Sequence, residues 1–168
     1  IINTPQKQLP KITKPDIEAA TFVQHNGQKA LLLVSSGSLD VYRNSAWLLD
    51  IENKRKQIID LTPFYNQLRK SAIGNLNIEG VTTVKNTIVL CSRGNKSNPV
   101  NYLIYTTPSF WTDLASVPFN TQQVHITGDS TSFSGVSDIT YSDHSDRLII
   151  AASTEDTHNS FDDGTIGK

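Results

Sequence analysis

The sequence contains one cysteine, no methionine and no long apolar run. A single cysteine excludes an internal disulfide and leaves the redox compartment open. No stretch approaches the ~18 consecutive apolar residues of a membrane-spanning helix, so we predict no transmembrane segment. Because a chain without methionine lacks a natural start, we expect these 168 residues to be part of a longer protein. A signal peptide removed from that protein would place it in the periplasm or outside the cell.

Charge of one sign is not concentrated anywhere in the chain. The sequence has 15 basic and 16 acidic residues, with a net charge of −1. The basic residues are scattered, whereas a nucleic-acid-binding protein needs a basic face. We therefore expect no nucleic-acid partner. Histidine pairs with metal-ligand spacing, a Gly-x-Ser-x-Gly turn and a glycine-rich phosphate loop are also absent from the sequence.

One pattern occurs three times, beginning near Glu18, Glu79 and Asp138. Each copy has an acidic residue before a short apolar strand, then a polar turn and a second apolar run that closes on small or polar residues. The three acidic residues are about 60 residues apart. A fixed period of this size indicates a repeat architecture, in which each unit buries its apolar face on its neighbours.

Nearly all the elements predicted within the repeats are strands and turns. Asn26-Gly27 between two apolar runs is a strong hairpin signal, because both residues tolerate positive φ. Thr62-Pro63 is typical of the start of a short helical turn. The connection 107–123 is predicted to be a long loop. The predicted strands are Ala19–Val23, Ala30–Ser35, Ala46–Ile51, Gln57–Leu61, Gly80–Val84, Thr87–Ser92, Tyr102–Thr106, Val124–Thr127, Asp138–Tyr141 and Leu148–Ala152.

These observations predict an all-β protein, namely a β-propeller fragment with blades of about 60 residues. The blades cover residues 17–76, 77–134 and, incompletely, 135–168. Residues 1–16 are either a linker or a strand of a preceding blade. Since closed propellers have about four to eight blades, we expect the remainder of the propeller to lie outside this chain.

Short motifs carry a resemblance to known propellers. Asn77-Ile78-Glu79-Gly80, Ser92-Arg93-Gly94-Asn95, the segments 135–138 and 151–156, and Asp162-Asp163-Gly164 together resemble an uncharacterised bacterial β-propeller family over roughly residues 15–168. More distantly, the Glu-Gly element is similar to that of gluconolactonase-type and phytase-like propellers. In the gluconolactonase type this glutamate is a metal ligand in the central channel, and Glu79 alone matches it.

The repeated acids are the first candidate site. The innermost strand of each blade lines the channel of a propeller, so Glu18, Glu79 and Asp138 are predicted to converge near one mouth. Several carboxylates in one cavity need a positive partner. A divalent cation such as Ca²⁺ suits such a ring, and Arg93 is the alternative counterion. The structural alternative, which repetition favours, is that each acid bonds backbone N–H groups at a strand start.

A second acidic group comprises Glu155, Asp156, Asp162 and Asp163. Its oxygens suit a cation-binding loop, although the spacing is not that of an EF-hand. Solvated turn acids are the better interpretation. Cys91 lies within an apolar run, where a buried thiol is a better interpretation than a nucleophile.

Two functions remain open. The first is a metal-dependent hydrolase of a lactone, ester or phosphoester at the mouth of the channel, with Glu79 as a ligand, Glu18 and Asp138 as further ligands or a base, and Arg93 as an anion clamp. The second is a non-catalytic propeller module that binds a small molecule, carbohydrate, peptide or envelope partner. Fold alone does not separate them, because propellers host both.

Overall fold

Short apolar runs separated by tight turns form antiparallel strands in the computed structural model, which describes residues 9–71, 73–127, 133–156, 158–159 and 165–166. The all-β prediction is confirmed, since the described residues lie mostly in strands and include one α-helix. The elements are β1 Ile17–His25, β2 Gln28–Ser35, β3 Ser45–Asp50, β4 Arg55–Asp60, α1 Thr62–Ser71, β5 Ile78–Val84, β6 Thr87–Ser92, β7 Asn101–Thr106, β8 Phe119–Val124, β9 Ser134–Ser142, β10 Arg147–Asp156 and β11 Thr165–Ile166.

The strands form three antiparallel sheets in chain order. The first sheet contains β1 to β4, the second β5 to β8 and the third β9 to β11. The hairpin predicted at Asn26-Gly27 joins β1 to β2, and both residues have positive φ, 51° and 77°. Every sheet is thus a simple meander, in which each strand pairs with the strand that precedes it in the chain.

Alternation along the strands gives the first sheet two apolar faces. Its front face carries two rows of cross-strand neighbours, Ala20-Leu33-Trp47-Ile58 and Phe22-Leu31-Leu49-Lys56. Its back face carries Ala19-Val34-Ala46-Ile59 and Thr21-Leu32-Leu48-Gln57. This arrangement explains why run 30–34 is apolar throughout, since its odd and even positions belong to different faces.

The sheets are stacked in one direction. The back of the first sheet shares a core with Val81, Leu90 and Ile104, which lie on the front of the second sheet. The back of the second sheet packs in the same way on the front of the third, where Ile139 and Ile150 lie. The strands β1, β5 and β9 therefore lie side by side, and Thr83 Oγ1 donates to the Phe22 carbonyl across the first junction at 2.9 Å.

The helix α1 and an aromatic cluster close one side of the first junction. The short helical turn predicted at Thr62 is a ten-residue helix that buries Phe64, Tyr65 and Leu68. The Phe64 ring lies 5.1 Å from that of Phe110, and the Tyr65 hydroxyl donates to the Ser35 carbonyl at 2.6 Å. No helix among the described residues has the length and apolarity to cross a membrane.

The fourth strand of the second sheet differs from the prediction. The strand predicted at Val124–Thr127 is wrong, because β8 pairs with β7 from Phe119 to Val124. The connection that precedes it is correspondingly shorter, 107–118. β8 is an edge strand in which no residue is buried, so its sequence is polar and lacks the apolar run that marks an inner strand.

The close approach of the second and third sheets generates a test at Gly80. A Cβ at Gly80 would lie 2.7 Å from the backbone nitrogen of Ile139, whereas a Cβ at Gly74 would meet nothing within 4 Å. We expect Gly80→Ala to lower the free energy of unfolding by about 1–3 kcal/mol, because the sheets must move apart. Gly74→Ala should leave it unchanged or slightly raised. Urea unfolding of both variants checks this, and equal effects would contradict the packing described.

Candidate functional site

The polar residues of interest lie along one edge, formed by the starts of β1, β5 and β9 and the ends of β2, β6 and β10, which we call the bulge edge. Each first strand there contains one extra residue. Ile17 pairs with Ser35 and Ala19 with Val34, which leaves Glu18 without a cross-strand partner. Such a β-bulge bends the strand and increases its twist.

The same bulge occurs in the other two sheets. In the second sheet the extra residue is Glu79, between Ile78 and Gly80. In the third sheet it is Ser137, since Val136 pairs with Ala152 and Asp138 with Ala151. Asp138 therefore corresponds to Ala19 and Gly80 rather than to the two glutamates. The prediction that Asp138 is equivalent to Glu18 and Glu79 is therefore wrong by one residue. An acidic side chain alone does not reveal which residue of a strand is bulged.

A buried arginine organises the first sheet's part of this edge. Arg43 is 2% exposed, and its Nη1 donates to Asp16 Oδ2 at 2.6 Å and to Ser38 Oγ at 2.7 Å. Its Nη2 donates to the Lys11 carbonyl at 3.1 Å. Ser36 Oγ also donates to Asp16 Oδ2, at 2.7 Å. A charge-assisted network of this kind holds the chain before β1 and the loop after β2 in one conformation.

Glu18 lies beside this network. Its partial burial raises the pKa of the carboxyl, and the neighbouring Asp16 carboxylate raises it further, while Lys14 and Arg43 act in the opposite direction. Burial disfavours the charged form of an acid, and a like charge nearby does the same. Glu18 is thus electrostatically coupled to an acidic neighbour in its own sheet.

The loop 36–44 between β2 and β3 has a fixed base and an exposed tip. At the base, Gly37 N donates to the Arg43 carbonyl at 2.7 Å, and Arg69 Nη2 donates to the Gly37 carbonyl at 2.7 Å. Asp40 forms an ion pair with Arg69 at 3.0 Å. At the tip, Val41 is 79% exposed and Tyr42 is 46% exposed. Apolar side chains are therefore displayed on a well-anchored loop.

Glu79 of the second sheet and Asp138 of the third both lie near the buried thiol of Cys91. Burial raises the pKa of Cys91 to about 12, and the negative charges of Glu79 and Asp138 add to the effect. Asn77 Nδ2 donates to Glu79 Oε1 at 2.6 Å, and Asp138 Oδ1 accepts from the Ile139 backbone N–H at 2.7 Å. Such a thiol stays protonated at neutral pH, as expected for a structural cysteine.

Arg93 and Asn101 link the second sheet to the third. Arg93 Nη2 donates to the Ser153 carbonyl at 3.3 Å, and its side chain lies where a Cβ on Gly135 would be. The buried Asn101 accepts from the Val136 N–H at 3.1 Å, and its Nδ2 donates to the Ser134 carbonyl at 2.9 Å. Arg93 thus bonds the backbone of the neighbouring sheet.

The predicted site residues fall into separate groups. The charges of Glu79 and Asp138 both act on Cys91, whereas Glu18 interacts with Asp16. Over the described ranges, no three His, Cys, Asp or Glu side chains are grouped so that they could hold a metal ion. The backbone of Glu155 and Asp156 pairs with β11, while their side chains, with Asp162 and Asp163, lie outside the described residues. Calcium binding therefore stays a prediction.

Sequence reasoning missed the buried polar residues Asp16, Arg43 and Asn101. Asp16 and Arg43 are 27 residues apart in sequence, so no local pattern connects them. One signal was present at Asn44, directly before β3, and at Asn101, the first residue of β7, since both asparagines are buried, at 3% and 1% exposure. Asparagine at the same position of two repeats is a pattern that indicates a buried, hydrogen-bonded side chain there.

Comparison with known proteins gives a family without an assigned activity. The model of a family described as "Family of unknown function (DUF6929)" matches residues 2–168. No curated protein and no solved structure matches the chain.

The raised pKa of Glu18 predicts how stability depends on pH. A carboxyl whose pKa is higher in the folded state stabilises the fold when protonated, and this contribution is lost as the pH rises through the folded pKa. We expect Glu18→Gln to raise the melting temperature at pH 7, with the gain disappearing below the usual pKa of 4.5. Thermal melts from pH 3 to pH 8 would show this.

Asp50→Asn is the matched control with the opposite sign. Hydrogen bonds from the Asn53 backbone and side chain lower the pKa of Asp50. Its replacement should therefore reduce stability at neutral pH, with the loss disappearing at low pH. A Glu18→Gln variant that is less stable than the wild type at pH 7 would show that the Glu18 charge is held by a positive partner.

Proposed function

The chain belongs to the DUF6929 family of unknown function, and we propose that it is part of a β-propeller that serves as a non-catalytic binding module. In this proposal the sheets supply a rigid scaffold and the loop 36–44 supplies the contact surface. The observation that carries the proposal is the combination of the exposed Val41 and Tyr42 with the buried Arg43 beneath them.

The propeller arrangement is supported by the way the sheets stack. Each sheet is a meander, each back face meets the next front face, and the first strands β1, β5 and β9 adjoin. In the proposed propeller, each sheet would form one of the predicted blades of about 60 residues. In a propeller the first strands surround the channel, and further sheets complete the ring.

The binding role is supported by the physical character of the loop. Exposed apolar residues on a surface otherwise rich in polar groups mark interaction sites. A loop that is already ordered loses little conformational entropy when a partner binds, so more of the contact energy appears as affinity. The hydrogen bonds of Arg43 to Asp16 and Ser38 provide that order.

The chemistry of the tip favours a peptide segment of another protein. Tyr42 offers an aromatic ring with a polar hydroxyl, which is common in protein-binding surfaces. Val41 offers an aliphatic surface, which suits apolar side chains better than a sugar ring. The Asp40–Arg69 ion pair beside them supplies a polar rim. A carbohydrate partner would use Tyr42 for stacking and gain little from Val41.

Selection of ligands against the chain tests the proposal. We expect a displayed library of random peptides to yield binders that contain apolar and aromatic residues. Val41→Ser with Tyr42→Ser should weaken their binding at least tenfold, or about 1.4 kcal/mol. The control Ile51→Ser removes another exposed apolar residue, from a turn of the same sheet, and should have no effect. Binding to a glycan array with no binders from the peptide library would contradict the peptide-binding role. Equal losses of peptide binding in both variants would contradict it as well.

The hydrolase is the second candidate, favoured by two acids near one buried thiol: Glu79 and Asp138 both act on Cys91, and Asp138 Oδ1 lies 3.0 Å from where a Cβ on Gly80 would be. If these carboxylates and further ligands hold Ca²⁺, the ion would polarise a bound ester or phosphoester.

Calorimetry with calcium decides this candidate. If Glu79 is a ligand, Glu79→Gln should reduce calcium affinity at least tenfold, or about 1.4 kcal/mol, and EDTA should lower the melting temperature of the wild type alone. If Glu79 is structural, the variant should be less stable by the same amount with calcium and with EDTA. The absence of calcium binding to the wild type would remove the hydrolase in this form.

A further inference from the structure

We propose that the turn Asn26-Gly27 is a self-modification site, at which Asn26 loses its side-chain amide as ammonia and becomes aspartate or isoaspartate with the help of His25. The substrate is the protein's own backbone and side chain, and the co-reactant is water. This inference concerns the turn between β1 and β2 and is independent of what the loop 36–44 binds.

The reaction begins with attack of the Gly27 backbone nitrogen on Cγ of Asn26. A bond forms between these two atoms, and the bond between Cγ and Nδ2 breaks. The nitrogen Nδ2 leaves as ammonia with its own hydrogens and the proton given up by Gly27, so a succinimide ring remains. Water then opens the ring at Cγ to give aspartate, or at the backbone carbonyl carbon to give isoaspartate. No oxidant or reductant is needed.

The sequence and the turn make the attacking nitrogen accessible. Asn26-Gly27 is the only Asn-Gly pair in the sequence, and asparagine is one of the thermolabile residues. A Cβ on Gly27 would meet nothing within 4 Å, so the turn is open on that side. Because His25 pairs with Gln28, the two residues between them form a two-residue turn. The hydrogen bond that closes such a turn does not use the N–H of its central residues.

His25 lies at the leaving group of this reaction. Asn26 Nδ2 donates to His25 Nε2 at 3.1 Å. The His25 ring packs against Trp111, with 6.3 Å between the ring centroids, and Trp111 is only 6% exposed. The buried indole therefore holds the imidazole at the amide nitrogen that departs. An imidazole nitrogen in this position can transfer a proton to the leaving nitrogen, as in general acid–base catalysis.

The second sheet offers an internal comparison. Its first hairpin turns through Lys85 and Asn86, and Lys85 has a φ of 53°, close to the 51° of Asn26. Asn86 is exposed, as Asn26 is, but the residue that follows it is Thr87. A β-branched side chain crowds its own backbone, whereas glycine leaves the nitrogen uncovered. We therefore expect Asn86 to be stable in a turn of the same kind.

The two products change the hairpin in different ways. Aspartate keeps the backbone and tolerates the positive φ of this turn as asparagine does. Isoaspartate adds a carbon atom to the backbone, which disturbs the pairing of His25 with Gln28 because a tight turn fixes the register of its strands. Either product adds one negative charge to the net charge of −1.

Peptide mapping by mass spectrometry tests the site. The folded full chain is incubated at neutral pH, and the mass gain of an amide that becomes an acid is followed at each asparagine. We expect conversion at Asn26 to be at least tenfold faster than at Asn86. Gly27→Asn copies the second sheet, since asparagine tolerates positive φ, and should slow the conversion of Asn26 at least tenfold. Synthetic peptides with aspartate or isoaspartate at position 26 identify the products.

The variant His25→Phe tests the role of the imidazole. It keeps an aromatic ring against Trp111 but removes the nitrogen, and it should slow the conversion of Asn26 about tenfold. His144→Phe, in the exposed turn between β9 and β10, is the control and should leave the rate unchanged. Circular dichroism melts confirm that the variants are folded. Equal rates at Asn26 and Asn86, or an Asn26 that stays intact, would overturn the proposal. An unchanged rate in His25→Phe would overturn the part assigned to His25.

Discussion

The extra residue in the first strand of each sheet is the constraint on which the rest of the structure depends. At the bulge the strand bends, and beyond it the pairing of the first two strands continues for one more residue. Ser36 N donates to the Asp16 carbonyl at 2.9 Å, and Arg93 N donates to the Asn77 carbonyl at 2.8 Å. Ile78 N then donates to the Ser36 carbonyl at 2.7 Å, which joins the second sheet to the first. The bulge edge is therefore where sheets are connected.

Burial of polar groups at this edge makes the connections specific. Arg43 is nearly inaccessible, and a charge in such a place is costly unless it is paired and hydrogen-bonded. The pair with Asp16 offsets that cost only in one geometry of the flanking segments. Asn101 acts similarly at the next junction by binding both the second and the third sheet. Apolar faces supply the bulk of the cohesion, while these residues determine how the sheets are positioned.

Sequence reasoning predicted the inner strands because they are apolar on both faces, and it predicted the β1–β2 hairpin from Asn26-Gly27. It failed at β8, whose edge position leaves a polar sequence, and at Asp138, which lies one residue beyond its bulge. It also missed the pairing of Asp16 with Arg43, because that contact arises only when distant segments fold together. The apolar pattern of a short segment thus predicts which of its residues are buried on the face of a sheet. The polar contacts at the bulge edge depend instead on residues that are far apart in the sequence.

The packed faces of the sheets and the loops at their edges have different roles. Residues such as Leu90 and Ile104 serve the stack, and a change there affects its cohesion. At the tip of the loop 36–44, Val41 is largely exposed, while the buried Arg43 below it bonds Asp16. A side chain that is exposed, apolar and rigidly mounted has no evident stabilising role. Contact with another molecule would give such a side chain a role, which is the reason for the proposal that the loop is the binding surface.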